Sequence, residues 1–244
     1  MNITKTTSNN KKYHNILIMG KSKSGKTTLT DTIDGKILFI NTDGNTEVIS
    51  KGKDVLDLHA ITDDTKKYEV LMSAVKELKA QASQGNLEYE HIVLDNLGDT
   101  GNILKTKVAL NENQEIAEDA GFGRGTTGVN GRMMPLIDSL TQLPCNLWAL
   151  AHTTESKSFT SDEVVKKAYG IHKDIYQWAI GRFDMVAELN ISSQGNRYLK
   201  VKDAKPNSDI DTRIKLDESK LTNINGEGLI LVGPTWEKLK GVFK

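Results

Sequence analysis

Ile16-Leu17-Ile18-Met19-Gly20-Lys21-Ser22-Lys23-Ser24-Gly25-Lys26-Thr27-Thr28 is an apolar run that ends in Gly-x-x-x-x-Gly-Lys-Thr and feeds a helix-forming segment. Gly20 and Gly25 let the backbone curl until successive N–H groups converge on phosphate oxygens. Lys26 supplies a point charge for β- and γ-phosphates, and the Thr27 hydroxyl can ligate Mg²⁺. The helix expected from Lys26 turns its positive end toward the same phosphates. Strand before and helix after is the context that makes this pattern specific. Gly20, Lys21, Ser22, Lys23, Ser24, Gly25, Lys26, Thr27 and Thr28 are therefore the expected cradle for a nucleotide, with ATP and Mg²⁺ as its cofactors.

Outward from this loop, 244 residues suffice for one sizeable α/β domain. Charged residues make up 26% of the chain and balance to zero, so any polyanion site must be a local patch. The single cysteine, Cys145, excludes a disulfide framework and reads as a small core hydrophobe. Residues 1–12 are polar and read as a flexible arm, not a signal peptide. No apolar run reaches membrane-spanning length. A soluble, cytoplasmic protein is the expectation.

Alternating apolar runs and amphipathic segments predict a mostly parallel sheet with helices on both faces. Residues 13–205 form the expected core and 206–244 a β-rich C-terminal extension packed on it. Tyr13–Met19 is the first strand, and a helix is expected to about Ile33. Lys36–Asn41 is the second strand, which delivers Thr42-Asp43-Gly44 at its carboxyl end, where ligands of open α/β sheets bind. Val55–Leu58 reads as a short edge strand, and Tyr68, Leu71, Met72, Val75 and Leu78 recur at helical spacing. His91–Asn96 is an apolar strand closing on Asp95, which would hold Mg²⁺ opposite Thr27. Asn96 follows it, not Glu, so Asp43 is the candidate activating carboxylate.

A helix is expected over roughly Ile103–Asp119. Then comes Gly121–Arg132, with five glycines in eleven positions, read as a mobile loop carrying Phe122, Arg124 and Arg132. Such a loop can grip single-stranded nucleic acid by phosphate contact and stacking, or serve as a plain connector. Arg132–Leu143 reads as a helix, and Asn146–Ala151 as a strand delivering His152, placed to hydrogen-bond a γ-phosphate. Residues 153–170 lack clear periodicity and read as a second excursion, with Lys157, Lys166 and Lys167. His172–Ile180 reads as a helix, Phe183–Ile191 and Arg197–Val201 as strands about a hairpin turn, Gly226–Val232 as a last strand, and the segment after Pro234 as a short helix.

With these pieces in order, residues 13–205 resemble the RecA-like ATPases. The likeness extends to phage nucleotide-binding proteins that include minimal RecA-core single-strand annealing recombinases. The resemblance implies that Asp43 polarises the attacking water, although RecA carries Glu there. It also implies that Asp95 is the Walker B aspartate and that His152 is the switch residue, where RecA carries Gln. Gly121–Arg132 and 153–170 correspond loosely to RecA's DNA-lining segments. Lys202 and Lys205 fall where RecA places basic residues against a neighbour's γ-phosphate.

The function so implied is a DNA-stimulated ATPase acting on single-stranded DNA in phage-type recombination or annealing. Its implied partners are further copies of itself and a phage or host recombination or single-strand-binding protein, without a membrane. The alternatives are a nucleotide-gated DNA-binding module with little hydrolysis, a RecA-fold helicase or packaging motor, and a small-molecule P-loop kinase. The five scattered arginines lack the density of a kinase lid, and the missing Asp-Glu pair disfavours a motor.

Overall fold

Strand β1 (Asn15–Gly20) is buried along its whole length, and alternate residues enter two different cores. Leu17 and Met19 face one, Ile16 and Ile18 the other. A strand covered on both faces reads as a continuous apolar run, as parallel strands between helix layers do. The same holds for β2 (Ile37–Asn41) and for the Asp95 strand His91–Asp95, buried at every position. The computed structural model describes residues 12–114, 117, 124–157, 164–168, 173–205, 208–223, 226 and 228–244. The N-terminal arm, apart from Lys12, lies outside the described residues, as does Phe122.

With β3 (Asp54–Asp57), β4 (His91–Asp95), β5 (Asn146–Lys157), β6 (Val164–Ala168) and β7 (Met185–Ile191), the parallel part of the sheet runs β3-β2-β4-β5-β1-β7. Beyond β7 it continues antiparallel through β8 (Arg197–Asp203). The short β9 (Asp211–Thr212) also pairs with β7, and β10 (Thr222–Asn223) and β11 (Gly228–Val232) complete that side in the order β8-β11-β10. The expected architecture, a mostly parallel sheet with helices on both faces, is the observed one. Helix α1 (Lys26–Asp31) contributes Leu29 to the core of one face. On the other face lie α2 (Asp64–Ser83), α3 (Leu97–Asn111), α4 (Arg124–Thr141) and α5 (Lys173–Ile180). Helix α6 (Trp236–Val242) joins the α1 face, where Trp236 stands edge-on to Trp148 at 5.3 Å and its backbone N–H donates to Thr32 Oγ1 at 2.8 Å.

Three boundaries depart from the sequence reading. Helix α3 starts at Leu97, six residues before the expected start, because Asn96 caps it: its Oδ1 accepts from the Asp99 N–H at 3.0 Å. A cap of this kind contributes about 1 kcal/mol. The same helix ends at Asn111, not near Asp119.

The glycine-rich segment is helical from Arg124 onward, so α4 begins eight residues before the expected Arg132. Glycine disfavours a helix by up to about 1 kcal/mol per residue, and packing outweighs that cost here. Val129, Met133, Leu136, Ile137 and Leu140 are buried on α4. A Cβ on Gly128 would stand 3.0 Å from Val108 Cγ1 on α3, so its bare Cα permits the close approach of the two helices.

The excursion at 153–170 is, over its described part, an antiparallel hairpin. Strand β5 runs on to Lys157 and pairs with β6 from Thr153↔Ala168 to Lys157↔Val164. It hid from periodicity because neither strand presents an alternating apolar face. Among the described residues, no helix is long and apolar enough to cross a membrane.

One buried pair gives the fold a pH dependence. His91 and Trp148 are 4% and 1% exposed, and Trp148 Nε1 donates to His91 Nδ1 at 3.2 Å. Burial holds the His91 pKa below the ordinary imidazole value, against the pull of Glu90 and Asp34 and together with the push of Lys240 and Lys53. The unfolded chain then binds a proton that the folded chain refuses. Stability from this residue is complete above the unfolded value near 6.5 and falls as pH drops below it. Thermal melts at pH 7.5 and 5.5 should show a larger fall in Tm for the native chain than for His91→Asn. Equal falls would mean that His91 is not the titrating group.

Candidate nucleotide site

Strand register brings the polar residues to one edge of the sheet. Gly20 pairs with His152, Asn41 with Asp95, and Asp95 with Leu150. The carboxyl ends of β1, β2, β4 and β5 thus present the phosphate loop, Asp43, Asp95 and His152 side by side. They line a cavity of about 310 Å³ together with Ser22, Lys23, Gly25, Lys26, Thr27, Thr28, Asn45, Val48 and Arg197.

The loop turns where the sequence permits it. Gly25 has φ 94° and Lys23 φ 62°, both in the left-handed region. A Cβ on Gly20 would lie 2.6 Å from the Leu189 carbonyl oxygen and 2.8 Å from Ser24 Oγ, so only glycine fits there. Ser24 is buried, and its Oγ has no hydrogen-bond partner among the described residues. Lys21 is exposed, and its carbonyl accepts from Lys26 Nζ.

Lys26 is 4% exposed, and its ammonium is held from three sides. Nζ donates to the carbonyls of Gly20 and Lys21, both at 3.1 Å, and to His152 Nδ1 at 3.1 Å. An ammonium has three protons, and all three are engaged. Burial lowers the Lys26 pKa to about 8, against the pull of Asp95 and Asp43. Contact with Lys26 at Nδ1 turns the other ring nitrogen, Nε2, toward Asp43. That nitrogen stands 3.9 Å from Asp43 Oδ2, facing it but beyond hydrogen-bond length.

Asp43 sits in a turn of its own making. Its Oδ1 accepts from the Asn45 backbone N–H at 3.1 Å, and its Oδ2 from Asn45 Nδ2 at 2.6 Å and Asn96 Nδ2 at 3.3 Å. Burial alone would raise its pKa; the His152 ring and these amide donors outweigh it and hold the carboxyl below the ordinary range. Asp95 behaves oppositely. Burial, then the Asp43 charge, push it up to about 6, against the Thr27 hydrogen bond and the Lys26 charge.

Thr27 Oγ1 donates to Asp95 Oδ2 at 2.6 Å. This hydroxyl and carboxylate are hard oxygen donors converging beside the loop, the donor set that suits Mg²⁺. Among the described residues no cluster of three or more His, Cys, Asp or Glu could hold a metal unaided. Mg²⁺ characteristically completes its shell with water and substrate phosphate, so a one-carboxylate, one-hydroxyl site fits it.

The structure therefore brings together Lys26, Thr27, Asp43, Asp95 and His152. It leaves other expected residues apart. Lys202 and Lys205 are exposed and lie toward the amino-terminal edge of the parallel strands. Lys202 is roughly 17 Å along β8 from the site end of that strand at the usual rise per residue. Neither lines this chain's own cavity. Arg132 Nη1 donates to the Gly128 carbonyl at 2.9 Å, a contact internal to α4. Arg124 opens α4; its side chain lies outside the described residues.

Sequence reasoning missed Arg197, Asn96 and Asn45 as site residues. Asn45 was accessible as an Asp-x-Asn turn, in which a side chain bonds its own backbone two residues on. Asn96, in the place of a Glu after Asp95, carries no sequence mark of its bonds to Asp43 and Asp99. Arg197 follows a hairpin turn, and its place is visible only once β7 is known to lie beside β1.

A family model for an AAA domain matches residues 12–215. No curated protein matches the chain. The match covers most of the chain, including the phosphate loop and every residue that lines the cavity. The chain belongs to the AAA domain family of P-loop ATPases and is a nucleotide-binding protein.

Proposed function

We propose that the protein is a Mg²⁺-dependent ATPase whose turnover is coupled to single-stranded DNA, in recombination or annealing of the phage type. One observation carries the catalytic part: Lys26, His152, Asp43, Thr27 and Asp95 meet at a single cavity at the carboxyl edge of the sheet. The loop binds the phosphates, and Lys26 stabilises charge on the transferring phosphoryl group. Thr27 and Asp95 would hold Mg²⁺, which supplies charge neutralisation at the phosphate oxygens. Asp43, ionised and fixed by Asn45 and Asn96, orients the attacking water. A carboxylate held this low is a weak proton acceptor, which favours slow basal turnover.

The three engaged protons of Lys26 give the site a way to sense nucleotide. A phosphate that bonds Lys26 must displace one of its present partners, and His152 is the one on a side chain. His152 lies on β5, and the same strand continues without a break into the β5–β6 hairpin. That hairpin carries Lys157, Lys166 and Lys167 in its sequence and is the DNA-contacting element of this reading. Arg132 spends one guanidinium donor on the Gly128 carbonyl, and its other donors, with Phe122 and Arg124, are the glycine-rich segment's candidate contacts to the same DNA strand. Lys202 and Lys205, remote from their own site, are assigned to a neighbour's γ-phosphate in a homo-oligomer.

The deciding experiment is steady-state Mg-ATP hydrolysis with and without single-stranded DNA over a range of salt. The expected result is several-fold stimulation that fades as salt rises, since phosphate contacts release counterions. Brisk turnover indifferent to DNA would overturn the DNA assignment and leave the ATPase. No turnover in either condition would favour a nucleotide-gated binding module.

A further inference from the structure

Strand β8 starts where β7 ends, at the phosphate edge of the sheet, with Arg197 paired to Ile191. Its guanidinium lies against the loop itself. A Cβ built on Gly25 would meet Arg197 Nε at 2.7 Å and Cζ at 2.9 Å. The residue is exposed, lines the same cavity as Lys26 and Asp95, and makes no ion pair among the described residues. A planar guanidinium carries five N–H donors in a fork that matches phosphate oxygens. Lys26 has committed its three protons; Arg197 has not.

We propose that Arg197 clamps the α- and β-phosphates of a nucleotide held in the loop of its own chain. The assignment rests on the nucleotide-binding reading above and adds to it a cation that acts in cis. The position of the side chain selects the phosphates. Backbone of a glycine-rich loop cradles the α/β-phosphates, while its lysine reaches β and γ. Arg197 stands over Gly25, whereas His152 meets the Lys26 ammonium and turns its other ring nitrogen toward Asp43. Its contribution is thus made equally to diphosphate and triphosphate, before any chemistry. Gly25 has a second reason to be glycine here, because a side chain would push the guanidinium off the loop.

The test is calorimetric titration of Mg-ADP and of Mg²⁺ with a non-hydrolysable ATP analogue into the native chain, Arg197→Ala, Arg197→Lys and Lys26→Ala. Arg197→Ala should weaken both nucleotides alike, by about tenfold or more, as loss of a charge-assisted pair does. Arg197→Lys should recover only part of the loss. In turnover, KM should rise while kcat stays within a few-fold. A thermal melt checks that the exposed substitution leaves the fold intact. Unchanged affinity for both nucleotides, with Lys26→Ala impaired, would overturn the clamp and leave the nucleotide reading standing. A loss confined to the triphosphate analogue would overturn it too, moving Arg197 to the γ-phosphate. No binding of either nucleotide by the native chain would overturn both readings.

Discussion

Lys26→Ala should lower Mg-ATP turnover at least about 10²-fold, the scale of losing one preorganised donor to a developing charge. The effect should appear in binding as well as in chemistry, because the ammonium reaches phosphates already present in the ground state. Lys23 and Arg197 line the same cavity, but neither shares the anchorage of Lys26. Its Nζ is the point on which the Gly20 carbonyl, the Lys21 carbonyl and His152 Nδ1 converge. The substitution need not unfold the chain. A buried ammonium carries a desolvation penalty of several kcal/mol, and its removal offsets part of what the orphaned carbonyls cost. Circular dichroism should therefore report a folded protein, and a fluorescent ATP analogue should report weak or absent binding. Turnover equal to that of the native chain would sink the phosphate-loop assignment.

The fold was legible because its strands are apolar on both faces. Ile16–Met19, Ile37–Ile40 and Ile92–Leu94 announce buried parallel strands without reference to any partner; the first and third run straight into Gly20 and Asp95, and the second is followed within three residues by Asp43. Thr27, Asp43, Asp95 and His152 could be found because strand ends converge in this topology. The sequence did not reveal what depends on tertiary packing. Gly128 reads as a loop residue until α3 is seen lying against it, with Val108 filling the space a Cβ would need. The β5–β6 hairpin has no periodic apolar face to mark it. Arg197 and Lys202 look equivalent as basic residues of one strand; the antiparallel return of β8 sends the first to the phosphate edge and the second away from it.

Asp43→Asn should separate binding from chemistry. Turnover is expected to fall about 10²-fold or more, the usual contribution of a positioned base or water-orienting group, while Mg-nucleotide affinity stays within a few-fold. Affinity is spared because Asp43 touches neither Lys26 nor Thr27: its hydrogen bonds run to Asn45 and Asn96. The amide also places an N–H₂ where three amide donors now point, so the Asp43–Asn45 turn must readjust. Asp43→Glu provides the control for that disturbance. It keeps the charge and extends the carboxylate by one methylene toward the cavity, so its turnover should equal or exceed the native rate if reach limits the native enzyme. A pattern of Asn inactive and Glu active assigns the water to this carboxylate. Native turnover in Asp43→Asn would instead make Asp43 the cap of its own turn, and the water-activating group would have to be sought elsewhere on the cavity wall.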